Sequence, residues 1–369
     1  MMSTLTNPKN TVPTSLSGRL DNENAFLACI DRHFPTQHQH LLLGRGDDCS
    51  LLATPTELLL TTDLFLENVH FRRRYFSPAD IGHKALAINL SDIAAMGGRP
   101  LGFTMGLVVP MGPPVGEAAY WDALLAGMAT LAISHGLPLA GGDLSRGNQL
   151  GISITLWGVT VGRCLRRGTG HPGDLLFIVS PLSASPWLSL GLAATGLALL
   201  EGMWFSSAED TIETIMANQY PEAMTAHLHP EPLLTQGQIL SSIAGVNSLI
   251  DISDGLAADL PRLIGPGLGA ELSLNEDWLH PALLGYAAQT NCTALDIAVN
   301  GGEDYALLGT AHHDALTSLQ TTIPNLRVLG KITAEPGIII NSRPLILRGF
   351  DHFSPGRHIT SSPYTTPSG

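Results

Sequence analysis

Carboxylates in this chain gather beside glycine, serine and threonine at the ends of apolar runs. Six stretches share the pattern: "GDD" (46–48), "TTD" (61–63), "LSD" (90–92), "GGD" (141–143), "DISD" (251–254) and "GGED" (301–304). Carboxylate and hydroxyl oxygens are hard ligands, suited to Mg²⁺ and unsuited to zinc. Small neighbours let the phosphates of a ligand approach the backbone, and strand ends in open α/β sheets place side chains in the crevice where ligands bind. Each stretch alone also reads as ordinary structure, because Asp before a helix is commonly an N-cap and Gly-Asp commonly a turn. Asp92 is the sharpest case, readable as a cation ligand or, with Ser91, as a helix cap. Six together would repel one another, raise their own pKa values and oppose folding unless cations neutralised them. Several hard cations point in turn to polyphosphate chemistry.

Other chemistries leave no signature. The chain has no G-x-x-x-x-G-K-[ST] loop, no H-R-D or D-F-G triplet, no G-x-S-x-G elbow and no H-E-x-x-H. A formal net charge of −13 argues against a nucleic-acid surface. Lysine occurs only at Lys9, Lys84 and Lys331, so anion recognition must rest on arginine, backbone N–H groups and metals. The four cysteines are far apart without a C-x-x-C pair, which suits a reduced cytoplasmic protein. The first twenty residues are polar and Pro-containing, with no secretory pattern.

The elements that must position these residues follow from periodicity. At 369 residues, two domains are the natural expectation. Residues 21–34 form an amphipathic helix pattern; 51–53 and 58–62 read as strands, 79–96 as a helix, 101–109 as a strand and 115–135 as a long helix. Residues 137–142 run toward "GGD", and 152–161 form a further strand. The Gly/Pro cluster "RRGTGHPGD" (166–174) marks the boundary. This gives a tail at 1–20, an N-terminal α/β domain at 21–165, a C-terminal α/β domain at 166–355 and a tail at 356–369. In the second half, strands are expected at 175–179, 249–252, 305–310, 327–332 and 338–341, and helices at 187–200, 233–244 and 256–264, with 202–229 irregular. Residues 175–200 carry no charge and are long enough to span a bilayer, but Pro181 and Pro186 divide them into strand, turn and helix. The order "NLSD" then "GGD", followed by "DISD" then "GGED", hints at an internal repeat.

"GDDCSLL", "TTDLFLENVHF", "HKALAINLSDIAAMGGRP", "GGDLSRG", "IDISDGLAADL" and "GGEDYALL" resemble, in order and approximate spacing, the thiamine-monophosphate kinase family. That family belongs to the superfamily of aminoimidazole ribonucleotide synthetase and selenophosphate synthetase. The resemblance runs from about Asn22 to Phe353 and implies two α/β domains of that superfamily's type, the N-terminal sheet pairing in a dimeric barrel. It implies ATP-dependent phosphorylation of thiamine monophosphate to thiamine diphosphate in a cytoplasmic homodimer. Carried over by motif, Asp48, Thr61, Thr62, Asp63, Asp92, Asp143, Asp251 and Asp254 would hold several Mg²⁺ ions, with Asp63, Asp92 and Asp143 at the centre of catalysis. Gly142, Asp143, Arg167 and Ser253 would contact ATP, and His70, Glu303 and Phe350 would line the thiamine side.

An acceptor that is already a phosphate oxygen needs no enzyme nucleophile, so direct in-line transfer is expected. Three departures from the family pattern stand out. "SPLSASPW" replaces a Gly-rich turn, Leu233 a usual Arg, and Ala306 a common acidic residue; the first two bear on an anion contact and on ATP affinity. The competing readings are another ATP-dependent enzyme of the superfamily, such as aminoimidazole ribonucleotide synthetase, and a catalytically silent paralogue serving as a binding subunit.

Overall fold

The computed structural model describes residues 23–39, 41–43, 51–52, 57–112, 114–181, 185–205, 218–290 and 292–345. Asp48, Phe350 and both expected tails lie outside the described residues.

Two sheets organise the chain. The first has the order β3-β6-β4-β5, from β3 (Leu59–Leu66), β4 (Gly98–Pro110), β5 (Leu139–Gly147) and β6 (Gly151–Thr160). Its connections explain its pairing. Helix α2 (Pro78–Ala95) carries the chain from β3 to β4, and α3 (Ala118–Ser134) from β4 to β5. Crossovers of this kind keep β3, β4 and β5 parallel in direction. The return strand β6 then inserts antiparallel between β3 and β4. Helix α1 (Glu23–His33) packs outside α3, with Phe26 edge-on to Trp121 at 4.8 Å. A short hairpin of β1 (Leu41–Leu43) and β2 (Leu51–Leu52) lies against Trp157.

The first sheet buries one face along its length; on the other face the hairpin covers only the end around Trp157. Along β3, Phe65 faces the core while Leu60 and Leu64 on the other face are 66% and 55% exposed. Helices α2 and α3 cross closely on the covered face, and glycine makes this possible. A Cβ on Gly82 would stand 1.9 Å from the Leu124 carbonyl oxygen, and one on Gly127 2.2 Å from that of Ala79.

The second sheet has the order β13-β12-β9-β11-β7-β10-β8. Its strands are β7 (Leu175–Val179), β8 (Val246–Asp251), β9 (Gly269–Leu272), β10 (Leu307–Ala311), β11 (Leu326–Thr333), β12 (Gly337–Ile340) and β13 (Arg343–Pro344). Its helices are α4 (Leu192–Phe205), α5 (Pro221–Leu228), α6 (Leu234–Ser242), α7 (Leu256–Ile264), α8 (Pro281–Thr290), α9 (Ala294–Asn300) and α10 (Leu316–Thr322). Its central strands are buried on both faces, which is why β7 reads as an unbroken apolar run. Phe177, Val179, Leu249 and Leu307 join the core that continues under α2 and α3; Leu176, Ile178, Ile250 and Leu308 join a second core under α4, α7, α8 and α9. Only β9–β12 is parallel here, so helices and strands alternate along the chain while the sheet itself is mostly antiparallel.

Several expectations shift. Helix α4 begins at Leu192 and not at Trp187, because residues 185–191 are held in other contacts. Leu188 bridges Leu279, the Ser189 amide donates to the Ser180 hydroxyl, and the Gly191 amide donates to Asp304. The polar stretch expected to be irregular contains α5. Strand β10 starts at Leu307, since Glu303 and Tyr305 adopt φ of 65° and 47°, outside any strand. The hinted repeat is not expressed: "NLSD" lies inside α2, whereas "DISD" ends β8 and enters a loop. No helix of the described residues is long and apolar enough to cross a membrane.

Candidate active site

Helix α2 joins the two sheets at its C-terminal end. It starts in a capping box, with the Ser77 hydroxyl accepting from the Asp80 amide and the Asp80 carboxylate accepting from the Ser77 amide. Near its other end, consecutive side chains reach in different directions. Asp92 Oδ2 accepts a hydrogen bond of 2.5 Å from Thr61 Oγ1 on β3 of the first sheet. Ser91 Oγ donates at 2.7 Å to Asp251 Oδ2, at the end of β8 in the second sheet. Asp92 is therefore no N-cap. It lies in the last turn, where the helix dipole disfavours a carboxylate, so helix stability does not explain it.

Asp63 completes the group, on the same face of β3 as Thr61. Burial, then the Asp251 charge, raises the Asp63 pKa to about 6. Burial and Asp63 raise Asp92 to about 6, opposed by the Thr61 hydrogen bond and the Arg167 charge. Asp251 reaches about 7 through burial and Asp92, opposed by Ser91 and Arg167. Three carboxylates that oppose one another's ionisation, with two hydroxyls among them, are a hard oxygen set matching Mg²⁺. They are more widely spaced than a single ion would hold them: among the described residues, only His312, His313 and Asp314 bring three potential ligand atoms within 4.8 Å of one another. That spacing suits ions that keep water and phosphate oxygens as further ligands, as Mg²⁺ does.

The other expected site residues are distributed as follows. Thr62 is on the open face of the first sheet, hydrogen-bonded to the Thr155 hydroxyl at 2.8 Å. Asp143 is exposed on β5, in the cross-strand row of Gly106, Ser153 and Leu64, through the sheet from Asp63. Gly142 beside it admits no side chain, since a Cβ would lie 1.9 Å from the Met105 carbonyl oxygen. Arg167 is exposed but within electrostatic reach of Asp92 and Asp251. Asp254 pairs with Arg262 at 2.5 Å. The Ser253 and Asp254 amides both donate to Asp259, at 3.1 and 2.9 Å. His70 Nδ1 accepts from the Leu66 amide at 3.0 Å, and its ring stacks on Phe65. Glu303 meets Lys84 at 3.2 Å and His227 at 2.9 Å. Burial by itself would raise the Glu303 pKa, but these two neighbours hold it well below the ordinary range.

The sequence reading missed Thr61 as the direct partner of Asp92, gave Asp304 no role beyond the "GGED" run, and missed Asp259, Lys84 and His227. Asp259 shapes the 253–254 loop, and Asp304 takes the amides of Gly191 (2.7 Å) and Ala193 (3.3 Å) at the start of α4. Asp304 left its signal in "GGED", and Asp259 left one as an acidic residue in the first turn of a helix.

Two mixed sheets around a shared acidic cluster define the class. Residues 46–164 match the family described as AIR synthase related protein, N-terminal domain. The chain is 34% identical over 325 residues to the thiamine-monophosphate kinase of Escherichia coli K12, covering 85% of this chain and 92% of that one. It superposes on the crystal structure of thiamine-monophosphate kinase from Stenotrophomonas maltophilia K279a with a TM-score of 0.72 at 30% identity, covering 90% of this chain and 100% of that one. The structure of AaThiL complexed with AMPPCP and TMP shares the fold at 24% identity, with a TM-score of 0.67 and coverage of 92% and 100%. The chain belongs to the thiamine-monophosphate kinase family.

Proposed function

We propose that this chain transfers the γ-phosphoryl group of ATP to thiamine monophosphate, giving thiamine diphosphate and ADP. The observation that carries the reading is the set of half-buried Asp63 and Asp92 with buried Asp251, gathered from both sheets by adjacent residues of α2. Acidic residues at a site for two polyanions make sense only where cations lie between them. Asp63, Asp92 and Asp251 would hold Mg²⁺ with Thr61 beside them; the motifs add Asp48 and Asp254 to the proposed ligand set, while Thr62 and Asp143 are assigned by motif alone, on the open face of the first sheet and away from this cluster. When bound, Mg²⁺ supplies charge neutralisation and Lewis acidity at the phosphate oxygens.

The protein's own residues bind and orient. Arg167 lies beside the acidic cluster, where its guanidinium can meet a nucleotide phosphate, and Ser253 and Gly142 are assigned to the ATP side. His70, Glu303 and Phe350 are assigned to the acceptor, whose aminopyrimidine and cationic thiazolium suit a carboxylate and an aromatic ring. The acceptor oxygen is ionised near neutral pH, so no side chain must take its proton. Transfer is direct and in line, with rate gained from positioning and a preorganised field.

Steady-state ADP release with thiamine monophosphate and Mg-ATP tests the activity. Release that depends on this acceptor is expected; silence here, with turnover on another acceptor, would replace it. Rapid-quench recovery of a covalently phosphorylated protein would overturn direct transfer. We also infer a homodimer, formed through the open face of the first sheet, where Leu60, Leu64 and Val108 are exposed.

A further inference from the structure

Lys84 is a lysine without solvent exposure, on the buried side of α2. Its ammonium donates to the His227 carbonyl oxygen at 2.5 Å and to Glu303 Oε2 at 3.2 Å. It also stands 5.5 Å from the centre of the Phe76 ring. His227, buried on α5, places Nδ1 2.9 Å from the same Oε2, while its Nε2 has no hydrogen-bond partner. Two donors from two helices therefore converge on one oxygen. The Glu303 side chain is 29% exposed, which leaves Oε1 for a ligand.

The backbone is fixed as tightly as the side chain. Glu303 has a left-handed φ of 65°, and its amide donates to the Ser253 carbonyl oxygen at 2.8 Å. Left-handed backbone at a non-glycine residue persists only where its surroundings enforce it. A buried ammonium is likewise a poor choice for stability, because an apolar side chain would fill the same space without the desolvation cost. Burial pulls the Lys84 pKa down, and the Glu303 carboxylate opposes that shift. Strain and buried charge meet at one carboxylate, beside the Asp251–Asp254 segment.

We propose that Lys84 and His227 are positioning residues for the acceptor, clamping Glu303 Oε2 so that Oε1 is presented to an N–H or cationic group of a flat heteroaromatic substrate. The proposal rests on the assignment of Glu303 to the acceptor side. Partners that orient a metal ligand typically cost about 10- to 100-fold when removed, and a loss of that order is expected here in acceptor KM. ATP KM and kcat should stay within about twofold, the pattern of lost acceptor binding with unchanged chemistry.

The test compares Glu303→Gln, Lys84→Met, His227→Leu and His227→Asn in the full chain, with melting curves to establish that each folds. Support is a matching rise in acceptor KM for Glu303→Gln, Lys84→Met and His227→Leu, with recovery in His227→Asn, whose amide can keep a donor near the Nδ1 position. The double variant Lys84→Met/Glu303→Gln should then be no worse than Glu303→Gln alone. If Glu303→Gln raises acceptor KM while Lys84→Met and His227→Leu do not, the positioning role is overturned and the Glu303 assignment stands. If Glu303→Gln leaves acceptor KM unchanged, the assignment fails and the proposal with it. Equal rises in ATP and acceptor KM would show a merely structural role and overturn the proposal. Should Lys84→Met not fold, the His227 pair decides by the same criteria.

Discussion

Thr61 and Asp92 share a single short hydrogen bond, and the nature of that contact makes a clean substitution possible. Asparagine at position 92 can still accept from the Thr61 hydroxyl, so Asp92→Asn should fold while losing its charge. Turnover should fall at least about a hundredfold, the usual scale for removing one electrostatic stabiliser. Near-normal turnover of this variant at moderate Mg²⁺ would rule out the cation role. The raised carboxyl pKa values give a second expectation. Asp63 and Asp92 at about 6 and Asp251 at about 7 exceed the ordinary 3.8, so the folded, metal-free protein holds these protons more tightly than the unfolded chain. Their contribution to stability is complete below the unfolded value and lost as pH rises through 6 and 7. A cation must displace those protons, so the Mg²⁺-induced rise in melting temperature should be small at pH 5 and grow toward pH 8. Burial lowers the pKa of His83, His135, His227 and His280, which titrate in the opposite sense. The difference between melts with and without Mg²⁺ isolates the carboxylates, and a pH-independent difference would refute their part in cation binding.

Helix α2 is the element on which the site depends, and its two ends do different work. Its N-terminus is stabilised locally by Ser77 and Asp80, far from Asp92. Ser77→Ala should cost about 1 kcal/mol in urea unfolding with kcat unchanged, since only a helix cap is lost. A fall in kcat at full folding would mean that the cap also sets the position of Asp92. This helix was legible in the sequence because its apolar period, its Ser-Pro start and its glycine stop agree. The start of α4 was not legible: its first amides are taken by Asp304, more than a hundred residues away, where no local pattern can announce the contact.

At the scale of the whole molecule, the open face of the first sheet is the unresolved surface of the monomer. Leu60, Leu64 and Val108 point away from α2 along one side of the sheet, 66%, 55% and 41% exposed. They share this face with the hydroxyls of Thr62, Ser153 and Thr155, and the inferred dimer would cover both. Leu64→Lys should shift sedimentation from dimer to monomer at micromolar concentration. A dimer that survives both Leu60→Glu and Leu64→Lys would place the interface elsewhere. Asp143 and Thr62 lie on this same face, so the variants should be assayed for turnover as well as for size.

The sequence by itself determined the absence of a nucleophile motif, the mixed helix–strand architecture and the family, because these reside in residue types and short spacings. Only the tertiary structure decided which carboxylates meet. Asp63, Asp92 and Asp251 come together because Ser91 and Asp92, neighbours in one helix turn, reach two different sheets. Thr62 and Asp143 diverge because strand side chains alternate faces, and register assigned them to the open one. The same long-range packing put Lys84 and His227 against Glu303, contacts that span 219 residues in the first case and that local sequence cannot encode.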